Sequence, residues 1–149
     1  MIATATPSTA HSELDYYRWL GVEAANVAAV VRRVEAGLPF GALERYRRLL
    51  GLPSLQRAAE LLSIPTRTLY YRKKARRLTP AESDRLLRAT RIFGLAVDLF
   101  DGDQEAARQW LFSPKWVLGD ASPAEYATTE VGAREVEDLI GRAAHGVFS

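Results

Sequence analysis

The sequence predicts an all-α fold: a helix-turn-helix core followed by a small helical domain. Apolar residues recur with helical spacing, most clearly Val27, Val30, Val31 and Val34, then Leu55, Ala58, Ala59 and Leu62, each set at i, i+3, i+4 and i+7. Strong start and stop signals frame these stripes, such as Thr79-Pro80-Ala81-Glu82 at one beginning and Gly37 and Gly51 at two ends. Strand-like alternation is never sustained for more than a few residues.

Taken in order, residues 1–12 are small and polar without a period, and are expected to form a disordered or loosely attached tail. A short helix follows from Glu13 to Leu20 and stops at Gly21. The valine stripe builds the next, closed by Gly37 at a C′ position with Pro39 just beyond. Phe40 to Leu50 ends the same way in Gly51 and Pro53. The short helix of Leu55 to Leu62 is broken at Ser63-Ile64-Pro65, after which Thr66 is expected to cap a helix running to about Arg77. The Thr79–Glu82 capping box, with proline at the first helical position, opens a long helix through Phe100. Asp101-Gly102-Asp103 turns the chain into a helix from Gln104 to Phe112, closed by Ser113-Pro114. Ser122-Pro123-Ala124-Glu125 repeats the capping-box pattern, and a last helix carrying Val136, Leu139, Ile140 and Ala143 stops at His145-Gly146. No internal repeat is visible.

Charge is segregated along this chain of 149 residues. Residues 51–92 carry 10 basic and 3 acidic side chains, and residues 93–149 carry 4 and 10, although the formal net charge is only +2. A basic middle beside an acidic end points to a polyanion-binding segment next to one with another job. With no cysteine, disulfide frameworks, thiolate metal sites and cysteine nucleophiles are excluded. Only His11 and His145 are available as histidines. The carboxylates Asp98, Asp101, Asp103 and Glu105 lack the glycine spacing and the closing bidentate glutamate of a calcium loop. Hence no catalytic residue, metal or cofactor is expected, and no enzyme. Neither an export signal nor a membrane span is readable, so a cytoplasmic protein is expected.

Residues 53–77 read as two short helices joined by a three-residue break, the layout of a DNA-reading helix-turn-helix. Ala58 and Ala59 allow close crossing. On the second helix Leu69 alone is firmly apolar, which leaves Thr66, Arg67, Thr68, Tyr70, Tyr71, Arg72, Lys73 and Lys74 as DNA-contact candidates. Arg67 suits a guanine edge, the threonine hydroxyls suit phosphates or bases, and Arg72, Lys73, Lys74, Arg76 and Arg77 suit backbone neutralisation. The plainer alternative is a solvated basic face with the tyrosines partly in the core.

In the C-terminal third, Arg91-Ile92-Phe93-Gly94-Leu95-Ala96-Val97, Ala106-Ala107-Arg108-Gln109-Trp110-Leu111, Leu118-Gly119, Ser122-Pro123, Gly132-Ala133-Arg134-Glu135-Val136 and the ending His145 to Ser149 closely resemble the toxin-binding domain of Xre/MbcA/ParS-type antitoxins. The Leu69 helix and Leu78 to Leu86 resemble the Xre-type helix-turn-helix of the same family, so the likeness runs from about residue 38 to the C-terminus. The resemblance implies a bacterial type II antitoxin that inhibits a RES-domain toxin, an enzyme that consumes NAD or transfers ADP-ribose from it, and that represses its own promoter. It further implies a toxin-blocking C-terminus, here His145, Gly146, Val147, Phe148 and Ser149. The expected division is a tail at 1–12, N-terminal helices with the helix-turn-helix at 13–92, and a toxin-binding domain at 93–149.

Among the aromatic residues, Trp110 is at helical spacing from Ala106 and Ala107 and reads as core, whereas Trp116, in the loop after Pro114, is open between core and interface anchor. Phe148 is expected to touch a partner. His145 fits the last helical turn, where a cation complements the helix dipole. The expected partners are a RES-domain toxin, operator DNA and a second copy of the chain. A stand-alone repressor whose C-terminal module dimerises or binds another protein is the alternative.

Overall fold

The computed structural model describes residues 12–146; residues 1–11, all but the last of the expected tail at 1–12, and residues 147–149 lie outside the described residues. The all-α class is what forms. The helices are α1 (Glu13–Arg18), α2 (Val27–Ala36), α3 (Gly41–Leu49), α4 (Leu55–Leu61), α5 (Thr66–Ala75), α6 (Pro80–Leu99), α7 (Gln104–Phe112), α8 (Pro123–Tyr126) and α9 (Glu130–Ala144), with a 3-10 turn at Trp116–Leu118.

Local chemistry sets the boundaries. Thr79 accepts the Glu82 N–H at 3.2 Å while the Glu82 carboxylate accepts the Thr79 N–H at 2.9 Å, a reciprocal box with Pro80 at the first position. Asn26, Ser54, Asp103 and Thr129 each cap their helix with a side-chain oxygen. The box expected at Ser122–Glu125 forms by half. Ser122 accepts the Glu125 N–H at 3.2 Å, but the Glu125 carboxylate reaches Arg57 at 3.6 Å, and α8 lasts one turn.

Helix α6 is the axis of the molecule, with α1, α2, α3, α7 and α9 all packed on it. Its 20 residues run without interruption through position 92, where the expected domain boundary lies. The buried side chains, from Tyr16 to Ile140, form one cluster around Phe93, Leu86, Leu43 and Val136. At α6 Gly94 a Cβ would stand within 2.6 Å of three Tyr16 ring atoms, so the glycine is the seat on which α1 lies. Tyr16 donates its hydroxyl to Asp98 one turn further on, and burial together with that carboxylate raises its pKa well above the usual phenol range. Arg91 joins α6 to α9 through Glu137 at 2.7 Å.

A buried hydroxyl fixes the other end of α6. Ser83 Oγ accepts the Leu38 N–H at 2.8 Å and donates to the Thr79 carbonyl at 2.7 Å. Ser83→Ala therefore strands a buried N–H, and urea denaturation is expected to show a loss of about 1–3 kcal/mol.

The valine stripe is only half covered. Val30 is buried and Val34 half-buried, but Val27 and Val31 are 65% and 47% exposed and line a groove of about 450 Å³ with Leu14, Tyr17 and Leu87. The apolar face of α2 is wider than the neighbours that cover it.

Candidate DNA-reading and partner-binding surfaces

Helices α4 and α5 are the two arms of the expected helix-turn-helix. Ala58 and Ala59 are fully buried, and Leu62 and Ile64 fill the corner, so the arms cross closely. Ser63 supplies the turn in a left-handed conformation, φ 56°, where glycine is more usual. The Arg85 Nε donates to the Leu62 carbonyl at 2.7 Å, fastening the end of α4 to α6.

Two expectations about α5 are corrected. Its N-cap is Pro65, not Thr66, because proline at φ −60°, ψ 148° already occupies the extended cap conformation, and Thr66 becomes the first helical residue. The helix ends at Ala75 instead of Arg77, since Arg76 turns left-handed at φ 61°.

Of the residues singled out in the sequence, Thr66, Arg67, Tyr70, Tyr71, Lys73 and Lys74 are exposed, Thr68 is intermediate, and Leu69 is buried. Arg67, Tyr70, Tyr71 and Lys74 fall at i, i+3, i+4 and i+7 and form one outward stripe. Within it the two tyrosine rings meet edge to face at 6.2 Å, and the Lys74 ammonium lies over Tyr70 at 5.6 Å.

Two of the cations have inward partners. The Arg72 Nε donates to Glu82 at 2.7 Å, with the glutamate side chain only 7% exposed. Burial works to raise the Glu82 carboxyl, but hydrogen bonds from Arg72 and the Thr79 N–H outweigh it and hold the group below its ordinary value. Arg77 donates to the Gly37 and Ala36 carbonyls at 2.7 and 3.3 Å, closing the C-terminus of α2. Lys73, Lys74 and Arg76 remain on the exposed surface. The basic run thus holds both a fastening set and an exposed set.

In the C-terminal third, Lys115 and Ala121 bridge the two sides of a loop closed by Gly119 and Asp120, both left-handed. The 3-10 turn inside it presents Trp116 at 81% exposure, with Val117 beside it. Trp110 is partly buried against the core, and the Lys115 ammonium lies 5.3 Å from its ring centre. Tyr126 and Val131 are further exposed apolar side chains that sequence reasoning passed over. Val131 was visible as a lone apolar residue in the first turn of the last helix. His145 is the exposed C-cap of α9 and donates its N–H to the Gly141 carbonyl at 3.2 Å, and Gly146 turns left-handed at φ 68°. The expected contacts at Val147, Phe148 and Ser149 lie outside the described residues.

Three acidic residues at the end of α6 and just beyond it serve the fold. Asp98 accepts from Tyr16, Asp103 caps α7, and Glu105 pairs with Arg108 at 3.1 Å.

Two family models match. Residues 29–91 match the antitoxin Xre-like helix-turn-helix domain, and residues 95–146 match the antitoxin Xre/MbcA/ParS C-terminal toxin-binding domain. An antitoxin Xre of Yersinia enterocolitica is 38% identical over 148 residues, 97% of this chain and 96% of its own length. The chain belongs to the Xre antitoxin family. Antitoxins Xre of Photorhabdus laumondii, 44% identical over 73 residues, and of Pseudomonas putida, 37% identical over 84 residues, match about half of this chain, at 49% and 56%, and about half of their own lengths, at 49% and 52%. In this Xre-family chain the junction between the two matched segments falls inside α6. Among the described residues no helix is long and apolar enough to cross a membrane.

Proposed function

We propose that this antitoxin reads operator DNA through the outer stripe of α5 and holds a RES-domain toxin, an enzyme that consumes NAD or transfers ADP-ribose from it, with the segment 93–149. The observation that carries the reading is the make-up of α5: one buried leucine, an aromatic and cationic stripe facing solvent, and an inward ion pair that fixes the helix to α6. Arg67 reads a base edge, with Thr66, Thr68, Tyr70 and Tyr71 around it, while Lys73 and Lys74 neutralise backbone phosphates. The acidic C-terminal third suits a cationic cleft built for a phosphate-bearing dinucleotide. Trp116 and the residues His145 to Ser149 are the contacts to that toxin. The protein works in the cytoplasm as a homodimer, with repression of its own operon as the second output.

The test is co-expression with the protein encoded beside it, scoring growth, NAD level and co-purification, then repetition with residues 145–149 deleted. Rescue by the full chain and its loss on deletion supports toxin blocking by the C-terminus. Failure of both rescue and complex formation favours a stand-alone repressor. On DNA, Arg67→Ala is expected to cost about 1–3 kcal/mol on the operator and to relax preference at one base pair. Lys73→Ala should weaken all duplexes alike and lower the salt slope by about 0.9. Binding titrations on operator and random duplex at several salt concentrations check both, and equal losses from Arg67→Ala on the two duplexes would remove it from base reading.

A further inference from the structure

We propose that the depression between α1, α3 and α7 binds a phosphate group, at a site to which α5 contributes no residue. It is an open hollow of about 440 Å³ lined by Trp19, Arg45, Arg48, Leu49, Gln104 and Arg108. Three guanidinium groups and no carboxylate face it.

Two of these cations make no close ion pair, although Glu44 lines the adjoining depression beside Arg48. Arg45 and Arg48, one turn apart on α3, have neither an ion-pair nor a hydrogen-bond partner among the described residues. Gly21 makes room for one of them: at φ +78° it has no side chain, and a Cβ there would stand 3.2 Å from the Arg45 guanidinium carbon. The third cation is held in place. Arg108 donates from Nε to the Leu49 carbonyl at 2.8 Å and from Nη2 to Gln104 at 3.2 Å, and only its Nη1 meets a carboxylate, that of Glu105, itself 68% exposed.

Like charges gathered in one depression, even with Arg45 and Arg48 exposed, repel one another until an anion enters. A phosphate brings one negative charge as a backbone diester or two as a monoester, with acceptor oxygens that match the planar donor forks of arginine better than a chloride ion does. Trp19, half-buried against Tyr16 and Phe93, supplies an apolar wall beside the cations, so the occupant is a phosphate ester, with an apolar part against the indole. The phosphate comes either from a free phosphorylated small molecule or from the backbone of a bound duplex.

The experiment compares the full chain with Arg45→Gln/Arg48→Gln. Calorimetric titration with sodium pyrophosphate, and thermal unfolding in pyrophosphate against chloride at matched ionic strength, measure the free-phosphate arm. The salt slope of binding to a duplex taken from upstream of the reading frame measures the other. Saturable pyrophosphate binding that falls at least tenfold in the double variant, with an unchanged salt slope, assigns the site to a small molecule. A salt slope lower by about 1.8 assigns it to duplex phosphates. Melting of the variant in chloride at or above the parent temperature shows that the fold is intact; a lower melt is met by Arg45→Lys/Arg48→Lys, which keeps the charges and loses the forks. Pyrophosphate binding equal in parent and variant, or none at all together with an unchanged slope, overturns the proposal.

Discussion

Gly94→Ala is expected to lower stability by about 3 kcal/mol and the melting temperature by roughly 10 °C, against the usual trend for a glycine inside a helix. On propensity alone the change should help, since alanine is favoured over glycine in a helix interior by about 0.5–1 kcal/mol. The contact decides otherwise. The added methyl would fall within 2.6 Å of three atoms of the Tyr16 ring, and that ring cannot slide away, being 2% exposed, stacked near Trp19 and fastened to Asp98 through its hydroxyl. Relief therefore requires α1 to lift from α6. Thermal and urea unfolding measure the loss, and in a double-mutant cycle Tyr16→Ala should cost less in the Gly94→Ala background than in the parent. A raised melting temperature in the single variant would mean that α1 is not seated on α6.

Glu82→Ala carries the second large effect, about 3 kcal/mol, because the one carboxylate serves two structures. It closes the capping box of α6 and it holds Arg72, whose guanidinium would be left without its partner in a half-buried place. Glu82→Gln keeps hydrogen-bonding capacity and loses the charge, with an expected cost of roughly 1–2 kcal/mol. Since α5 is tied to α6 through this pair, operator affinity should fall in both variants even under conditions where the chain is folded. The pH dependence follows from the direction of the Glu82 shift. A carboxyl held below its ordinary value of 4.5 in the folded state contributes stability that is full above that value and is lost as pH falls through the folded one. The parent should thus lose stability below about pH 4.5 faster than Glu82→Gln, and parallel pH curves of the two would show that the pair carries no such coupling.

Much of the fold was legible because capping is local. The Thr79-Pro80-Ala81-Glu82 start needs only residues three apart, and it forms as read. Thr66 was misread because the ring of Pro65 fixes only φ, which suits a helix and a cap alike, and the extended ψ of 148° that makes Pro65 the cap left no mark in the sequence. The basic run was harder. Arg72 and Arg77 look like Lys73 and Lys74 in sequence, and what separates them is a carboxylate 10 residues away and carbonyls about 40 residues away. The valine stripe announced an apolar face but not how much of it neighbouring helices would cover. Gly94 did leave a trace: a glycine in a helical pattern needs a packing reason, and the reason is a tyrosine 78 positions earlier. The arginine depression had none, because its lining is assembled from three helices distant in sequence.

The uninterrupted course of α6 sets a rule for how such a chain can change over evolutionary time. One end of the helix is bonded to the DNA-reading side through Glu82 and Ser83, and the other seats α1 at Gly94 and joins α9 through Arg91. A helix advances about 100° and 1.5 Å with each residue, so one residue inserted between positions 85 and 91 would swing the acidic end by more than a quarter turn about the axis of α6. Recombination that exchanges partner specificity between relatives must therefore keep the residue count of this helix, and length variants should be found in the loops on either side of it.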